Sequence, residues 1–340
     1  MHFGGKYLLF KLAAQINKSK YFNKIGFLFS KVDNNMSPLS AQKQQMPLHG
    51  QPNGYFEDSI NYLHWDAHKN APVMHWAHAN GFSGGTYAPL LSRLTDIAQI
   101  YAWDARGHGS TKLPANQKDL KSWNIYKDDM IRFVEKLADR HGQKIYLTGH
   151  SLGATTSILA AAERPDLVKG LVLVDPVIIP YHLGWLSGFL HQLKLPHPVG
   201  HLIRRSSRRR KIFKSRSEIA QSYFGRGAFT TDDDGFLNAY LDSAIEPKEG
   251  GVGLCCQPEW EAQNYIAQRH NSARAIKALQ CHVMLVQAAK DSTVYSNKPF
   301  LKTRQPVTFK TVEGTTHFLP FEKPDAVASH IASMITDETA

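Results

Sequence analysis

Two short stretches of this chain match the pattern Gly-x-Ser-x-Gly, which is typical of a turn that presents a serine nucleophile. They are "GFSGG" at residues 81–85 and "GHSLG" at residues 149–153. A serine at such a turn can attack a carbonyl carbon if a histidine accepts its proton and a carboxylate orients that histidine. Only the elements around each stretch can decide between Ser83 and Ser151.

Ser151 lies between a predicted strand and a predicted helix. The apolar run "KIYLTG" at 144–149 is typical of a buried strand, and a helix rich in small residues follows it. Such a turn strains the backbone of the serine, and the glycines at 149 and 153 leave room for it. The first helical N–H, at Leu152, has no acceptor within the helix and can bind an oxyanion. We therefore predict Ser151 as the nucleophile.

Ser83 lies instead in a glycine-rich loop that follows an earlier apolar strand. A loop in this position can turn a backbone N–H toward the nucleophile, and we predict the Phe82 N–H as the second oxyanion donor. Gly81 would allow the tight turn, and His78 and Asn80 would brace the loop by hydrogen bonds. The first stretch is then a supporting loop and not a second nucleophile turn.

Strands and helices alternate along residues 51–179, and the alternation resumes along residues 276–340. Near-continuous apolar strands, such as "GLVLVDP" at 170–176, are typical of a parallel sheet that helices cover on both faces. Residues 180–275 are irregular and helix-leaning. We predict an α/β fold with a mostly parallel central sheet, a mainly helical cap or lid inserted after the sixth strand, and a basic extension and linker over residues 1–50.

The order of these motifs resembles an α/β-hydrolase with a cap domain, and the resemblance covers residues 55–335. It rests on the loop "HANGF", on "DARGHGS" after the next strand, on "GHSLG", and on a late Asp and His beyond the insertion. More narrowly, "HANGFSGG" and "CCQPEWEA" are similar to a bacterial group of esterase-like hydrolases. The loop departs from the commoner His-Gly form by two residues.

The resemblance implies the chain order serine, acid, histidine for the remaining catalytic groups. Among 17 histidines, His317 is the one that follows the last predicted strand and precedes the last predicted helix. Asp291 ends the strand before it, and Asp175 ends the strand before the insertion. We predict Asp291 as the carboxylate that orients His317, with Asp175 as the alternative. His150 would brace a loop.

The resemblance also implies a serine hydrolase that needs no cofactor and no metal. A serine at the turn argues against the epoxide hydrolase and haloalkane dehalogenase branches, which need a carboxylate nucleophile. We predict hydrolysis of carboxylic esters with short to medium acyl chains through an acyl-enzyme. Thioesterase, amide hydrolase and cofactor-free perhydrolase activities of the same triad are alternatives, and a non-catalytic binding module is an alternative from another class.

The net charge of +11 is concentrated in two segments. Residues 1–32 contain six lysines, residues 204–216 contain eight arginines and lysines, and neither segment contains an acid. A solvated basic face is one interpretation, and peripheral contact with an anionic membrane surface or binding of an acidic ligand is the other. We expect no nucleic-acid partner, because residues 204–216 hold a single aromatic side chain, that of Phe213.

The longest apolar runs are too short to predict a membrane-spanning helix. Three cysteines, two of them adjacent, do not predict a disulfide framework. We therefore expect a cytoplasmic protein. The strongly apolar stretch at 183–195 has two interpretations, the lining of an acyl pocket and the core of the cap.

Overall fold

A computed structural model describes residues 41–48, 59–193, 199–231 and 234–337. The strands in these residues are β1 (Gln42–Pro47), β2 (Ser59–Trp65), β3 (Val73–Ala77), β4 (Gln99–Trp103), β5 (Ile145–His150), β6 (Val168–Val174), β7 (Ile212–Phe213), β8 (Ile245–Lys248), β9 (Gly251–Leu254), β10 (His282–Ala288) and β11 (Val307–Val312). The α-helices are α1 (Ala88–Leu91), α2 (Asn124–His141), α3 (Leu152–Glu163), α4 (Tyr181–Gln192), α5 (Gly200–Ser207), α6 (Arg216–Tyr223), α7 (Phe236–Ser243), α8 (Pro258–Ile266), α9 (Ser272–Lys277), α10 (Leu319–Glu322) and α11 (Pro324–Asp337).

The central sheet has the strand order β1-β2-β4-β3-β5-β6-β10-β11. The pairs β1–β2 and β2–β4 are antiparallel, and all pairs from β4 to β11 are parallel. Every residue of β3, β4 and β5 is buried, as expected for parallel strands that helices cover on both faces. The predicted α/β fold with a mostly parallel central sheet is confirmed.

The sheet begins earlier in the chain than we predicted. Residues 42–47 form the edge strand β1, in which Met46 is buried and pairs with Ile60 of β2. The prediction of a linker is therefore wrong over these residues, because one buried methionine among polar residues is enough to fix an edge strand that needs no alternating pattern. The rest of the predicted extension, residues 1–40 and 49–50, lies outside the described residues.

Helices cover the sheet in two layers, each with its own apolar core. Helices α2, α3 and α9 pack on one face, and α1 and α11 pack on the other. Because α9 packs on α3, the predicted boundary of the insertion at residue 275 falls inside a helix of the core layer. No helix within the described residues is long and apolar enough to cross a bilayer.

The insertion between β6 and β10 contains helices α4 to α8 and a small antiparallel sheet of order β7-β9-β8. The helices agree with the prediction of a mainly helical segment. The small sheet was not predicted, because β7 has only two residues and because Pro247 in β8 and the glycines in β9 mask any alternation of polar and apolar residues.

The turn between β5 and α3 is strained and closely packed. Ser151 has φ 55° and ψ −115°, a conformation that residues other than glycine rarely adopt. A Cβ atom on Gly149 would lie 2.8 Å from the carbonyl oxygen of Ala77, and one on Gly153 would lie 2.1 Å from it. Both glycines are therefore needed for the approach of α3 to the end of β3.

Replacing Gly153 with Ala should lower the free energy of unfolding by about 3 kcal/mol or more, because the new methyl group meets a backbone carbonyl that cannot move away easily. Urea denaturation measures the change. Gly142→Ala is the matched control, because Gly142 has φ 63° but no atom within 4 Å of the added Cβ, so only backbone strain of about 1 kcal/mol is expected. Equal costs at the two sites would contradict the packing argument.

Candidate active site

The side chains of Ser151 and His317 meet where the parallel strands end. Ser151 follows β5, and His317 lies between β11 and α10. The Nε2 atom of His317 lies 3.0 Å from the Oγ atom of Ser151, a distance at which the ring nitrogen can accept the hydroxyl proton. The fold thus joins two predicted residues that are 166 positions apart in the sequence.

The carboxylate beside His317 belongs to Asp175. Its Oδ2 atom lies 2.7 Å from the Nδ1 atom of His317, so the imidazole is held between a carboxylate and the serine hydroxyl. Asp291 is exposed to solvent instead. The prediction of Asp291 as the partner of His317 is wrong, and Asp175, the alternative that the sequence left open, takes this position.

Both carboxylate oxygens of Asp175 accept hydrogen bonds in a site without solvent exposure. Oδ1 accepts from the Ala288 N–H at 3.1 Å and from the Ser292 hydroxyl at 2.6 Å, and Oδ2 accepts from the Thr293 N–H at 2.9 Å. Burial by itself raises the pKa of a carboxyl group, but the hydrogen bonds from His317, Ser292 and Thr293 outweigh burial and lower the pKa of Asp175. The carboxylate therefore stays ionised opposite the imidazole.

The loop after β10 explains why Asp291 does not reach the site. Asp291 has φ 52°, in the left-handed region, and its side chain faces solvent at this bend. The next two residues, Ser292 and Thr293, turn inward and donate to Asp175. The loop therefore supplies hydrogen-bond donors and not the acid. The sequence signal for this is the Ser-Thr pair directly after Asp291.

The two predicted oxyanion donors differ in their surroundings. Leu152 is the first residue of α3, so its N–H has no acceptor within the helix and lies next to Ser151. The Phe82 N–H instead donates to the carbonyl oxygen of Ala79 at 3.2 Å and closes a turn. The Phe82 N–H can donate to an oxyanion only if it shares or breaks its hydrogen bond to Ala79. Its role as the second oxyanion donor therefore stays a prediction.

His78 braces the loop that carries Phe82, and its hydrogen bonds define its tautomer. Nε2 accepts the Ala105 N–H at 2.9 Å, so the proton is on Nδ1, which donates to the Ala79 carbonyl at 2.8 Å. Burial, with a contribution from His108, keeps the pKa of His78 well below its usual range. A neutral ring therefore ties this loop to the segment that follows β4.

Asn80 and Gly81 connect the same loop to helix α8 of the insertion. The Asn80 side chain donates to the Glu261 carbonyl at 3.0 Å and accepts from the Asn264 amide at 2.9 Å. Gly81 has φ 82°, and a Cβ atom there would lie 3.1 Å from the carboxyl carbon of Glu261. The buried Glu261 carboxylate is paired with Arg209 at 3.1 Å. Asn80 therefore supports the loop as predicted, and its hydrogen-bond partners are residues of α8.

Ser83 is a buried structural residue of this loop. Its hydroxyl donates to the Ser243 hydroxyl of α7 at 2.7 Å and accepts the Thr86 N–H, which caps the short 3-10 helix Gly84–Tyr87. The Gly84 N–H in turn donates to the buried Asp104 carboxylate at 2.9 Å. These contacts hold the loop in place and leave its serine without access to solvent.

A chain of hydrogen bonds runs behind Ser151 from this loop to the backbone of His317. The Ala79 N–H donates to the Tyr87 hydroxyl at 3.3 Å, and that hydroxyl lies 2.7 Å from Nδ1 of His150. Nε2 of His150 lies 2.8 Å from the His317 carbonyl, which can only accept, so the ring proton is on Nε2 and Tyr87 donates to Nδ1.

His150 thus braces a loop, as predicted, but through a partner, Tyr87, that the sequence analysis missed. Burial lowers the pKa of His150 to about 3, which keeps the ring neutral and its tautomer fixed. A histidine directly before the nucleophile is a signal for such a link, but nothing in the sequence marks Tyr87 as its partner. The hydrogen bonds through Tyr87 and His150 thus hold the backbone of His317 at a fixed distance from the loop that carries Ala79.

The roles of the two aspartates can be separated without a known substrate. An Asp175→Asn change should slow phosphonylation of Ser151 by a fluorophosphonate probe by roughly 10³- to 10⁴-fold, because the amide no longer fixes the tautomer of His317. Asp291→Asn is the matched control and should stay within about twofold of the unchanged protein. A slow Asp291→Asn protein with a normal Asp175→Asn protein would restore the original prediction.

Removal of the Tyr87 hydroxyl tests the link to His317. Tyr87→Phe leaves the Ala79 N–H and one nitrogen of His150 unpaired, and should lower the free energy of unfolding by about 1–3 kcal/mol. Because His317 then loses its backbone support, the labelling rate of Ser151 should also fall roughly 10-fold. A protein that is destabilised but labelled at the normal rate would limit Tyr87 to a purely structural role.

Comparison with known proteins places this geometry in a family. A family model for the alpha/beta hydrolase fold matches residues 77–324. The 2-(acetamidomethylene)succinate hydrolase of Mesorhizobium japonicum is 26% identical over 271 residues, which are 78% of this chain and 88% of that protein. Human monoglyceride lipase is 30% identical over 105 residues, 30% of this chain and 34% of the lipase.

Solved structures agree on the fold. The peroxisomal alpha-beta-hydrolase Lpx1 of Saccharomyces cerevisiae superposes with a TM-score of 0.69 at 17% identity and covers 88% of this chain and 89% of its own. The family match spans most of the chain and includes both Ser151 and His317. The protein is therefore a hydrolase that belongs to the α/β-hydrolase family.

Proposed function

We propose that this protein is a serine hydrolase that cleaves carboxylic esters with short to medium acyl chains through an acyl-enzyme. The observation that carries the proposal is the continuous line of contacts from Asp175 through His317 to Ser151, with distances of 2.7 and 3.0 Å. The strained backbone of Ser151 supports it, because such strain persists where the surrounding structure holds a side chain for a function.

In the proposed acylation, the Ser151 oxygen attacks the ester carbonyl carbon while His317 Nε2 accepts the hydroxyl proton. The carbonyl oxygen becomes an oxyanion, which the Leu152 N–H stabilises at the positive end of α3. Asp175 stabilises the imidazolium and holds its tautomer. The oxyanion then collapses, the bond to the alcohol breaks, and His317 donates its proton to the leaving alcohol.

The second half of the reaction repeats these steps with water. His317, neutral again, accepts a proton from water while the water oxygen attacks the acyl carbon of the ester on Ser151. Collapse of the second oxyanion returns the proton from His317 to the Ser151 oxygen and releases the carboxylic acid. Every proton that His317 accepts is donated again, so the enzyme ends the cycle unchanged.

An aromatic wall beside the loop supports an apolar acyl or alcohol group in the substrate. The half-buried ring of Phe82 lies 5.2 Å from that of Phe321, and the rings of Tyr240 and Phe229 lie 6.1 and 6.3 Å from it. These three rings are buried behind Phe82, and the half-buried Phe318 follows His317 directly. Such a wall offers dispersion contacts and no charge. In the stretch 183–195, Trp185, Leu186 and Phe189 are exposed and Leu190 is half-buried, so the lining of an acyl pocket stays a prediction for this stretch.

A series of p-nitrophenyl esters of increasing acyl length, set beside acyl-CoA thioesters, tests the proposal. We expect turnover of the short and medium esters with an initial burst of nitrophenol, the mark of an acyl-enzyme. Ser151→Ala should lower kcat/KM by about 10⁴-fold or more, because no other group can form the acyl bond. Mass spectrometry should find the fluorophosphonate adduct on Ser151.

Ser83→Ala is the control for this series, since Ser83 occupies the other match to the serine pattern. The variant should keep kcat/KM within about threefold of the unchanged protein. Its free energy of unfolding should fall by about 1 kcal/mol, because the Ser83 hydroxyl no longer caps the 3-10 helix Gly84–Tyr87. An adduct on Ser83, or ester turnover that survives Ser151→Ala, would overturn the mechanism. Faster turnover of thioesters than of esters would replace the ester assignment with the thioesterase alternative.

Amide hydrolysis is a second candidate, favoured by one comparison. The relative from Mesorhizobium japonicum is named for a substrate that contains an acetamido group. The same triad can transfer an acyl group from nitrogen, provided that His317 protonates the leaving amine. Release of acetate from 2-(acetamidomethylene)succinate at a higher kcat/KM than from any simple ester would favour this candidate.

A cytoplasmic location is part of the same proposal. The adjacent Cys255 and Cys256 are free thiols, as is usual in a reducing compartment. Burial raises the pKa of Cys255 to about 12, so this thiol is poorly reactive at neutral pH.

A further inference from the structure

Helix α4 presents an apolar face to solvent. Six of the ten large hydrophobic side chains that are exposed in the described residues fall within residues 181–193, and Trp185, at 55%, is the most exposed of the six. The rings of Trp185 and Phe189 stack at 6.4 Å with their planes 8° apart. Exposed apolar side chains scattered over a surface need no explanation, but a contiguous group of this size usually marks a binding surface.

The orientation of α4 is fixed by its opposite side. Gly184 is buried, and a Cβ atom there would lie 2.3 Å from the carbonyl oxygen of Gln268, just beyond α8. The helix therefore packs backbone to backbone on this side, and the residues half a turn away, Leu186 and Phe189, necessarily face outward. The exposure of the apolar face follows from this packing.

The chain around this face is free of negative charge. Residues 176–217 contain nine arginines and lysines and no aspartate or glutamate. Four of these cations are paired with acids from elsewhere: Arg209 with Glu261, Arg210 with Glu218, Lys211 with Glu259, and Arg216 with Asp242. Arg204, Arg205, Arg208 and Lys214 are exposed, and none of them forms an ion pair with an acid of the described residues.

These three arginines lie on or directly after α5, the helix that follows α4 in the chain and packs on the same neighbour. Helices α4 and α5 both pack on α8, and residues 193–199 join them. A connection of this length spans at most about 28 Å even when fully extended. The end of α4 and the start of α5 are therefore no more than about 28 Å apart, close enough for one membrane contact to include both helices.

We propose that the exposed face of α4, together with Arg204, Arg205 and Arg208, docks on the surface of an anionic lipid bilayer. The aromatic and aliphatic side chains enter the boundary between head groups and acyl chains, and the arginines contact the anionic head groups. An apolar face beside unpaired arginines fits this partner, because stable membrane binding needs two such signals.

The substrate class that docking would imply rests on the proposed function, but the docking itself can be tested without it. If the protein cleaves esters, docking places the site beside esters that are dissolved in the bilayer, and such lipid esters become its substrate class. Binding to vesicles can be measured without any turnover. The experiments therefore use the full chain and its Ser151→Ala variant, which should bind equally.

Trp185 is a natural probe for docking. Five of the six tryptophans, at positions 65, 76, 103, 123 and 260, are at most 3% exposed, so Trp185 is the single exposed one. Vesicles of equimolar phosphatidylglycerol and bromine-labelled phosphatidylcholine should quench its fluorescence on contact. Vesicles of phosphatidylcholine alone should quench far less. A Trp185→Phe protein should still sediment with the anionic vesicles but lose the quenching.

Matched variants separate the apolar contribution from the charge contribution. The double change Trp185→Ser with Phe189→Ser should weaken binding to anionic vesicles by at least roughly 10-fold. Leu301→Ser with Phe309→Ser is its control, since both side chains are exposed and both residues lie outside the insertion that contains α4. Changing Arg204, Arg205 and Arg208 to Gln should weaken binding roughly 100-fold at low salt. The same change at Lys277, Lys302 and Arg304, which are also exposed, is the control.

Each outcome decides the proposal. Binding that falls with the α4 and arginine variants but not with their controls, while turnover of a soluble ester stays normal, supports it. No binding to anionic vesicles, or equal losses in the controls, overturns it. If acrylamide fails to quench Trp185 in the absence of lipid, the face is already covered by a second copy or by another segment of the chain, and the proposal fails. Loss of ester turnover throughout, with intact binding, would count against the proposed function alone.

Discussion

The close approach of α3 to the end of β3 is the constraint on which the site depends. The carbonyl of Ala77 lies where side chains on Gly149 and Gly153 would otherwise be. This contact brings the start of α3, with Ser151 and the Leu152 N–H, next to the loop that leaves β3. Because the loop and the turn share one contact between backbones, neither can shift without the other. The strain at Ser151 is held by the same packing.

Two neutral histidines provide further hydrogen bonds between the segments that surround the site. His78 and His150 are buried, and each has one nitrogen that accepts and one that donates. A buried neutral imidazole can join a donor in one segment to an acceptor in another without a charged group and its desolvation cost. The single buried charge at the centre, on Asp175, is matched by four donors, which come from the end of β10, from the loop after it and from His317.

The insertion has two distinct parts. Its inner part, through α8, holds the loop by Asn80 and Gly81 and buries the Glu261–Arg209 pair. Elsewhere in the insertion, α4 exposes apolar side chains, and Arg204, Arg205 and Arg208 of the next segment pair with no acid of the described residues. Half of the basic run that looks uniform in the sequence is neutralised by acids from distant positions, such as Glu259 and Asp242. Charge counted along the chain therefore overstates the charge that a partner meets.

The sequence by itself determined the local parts of the site. The strand, turn and helix around Ser151, the glycines that permit the turn, the position of His317 and the parallel sheet all follow from patterns within a few residues, because period, glycine placement and strand ends are local properties. Tertiary structure decided which carboxylate faces His317. Asp175 and Asp291 both follow strands of the same sheet and both have positive φ. The choice depends on the course of the loop after β10, which leaves the Asp291 side chain in solvent and turns Ser292 and Thr293 toward Asp175. The partner of His150, the edge strand β1 and the outward face of α4 were likewise set by contacts between distant segments, which no pattern of neighbouring residues encodes.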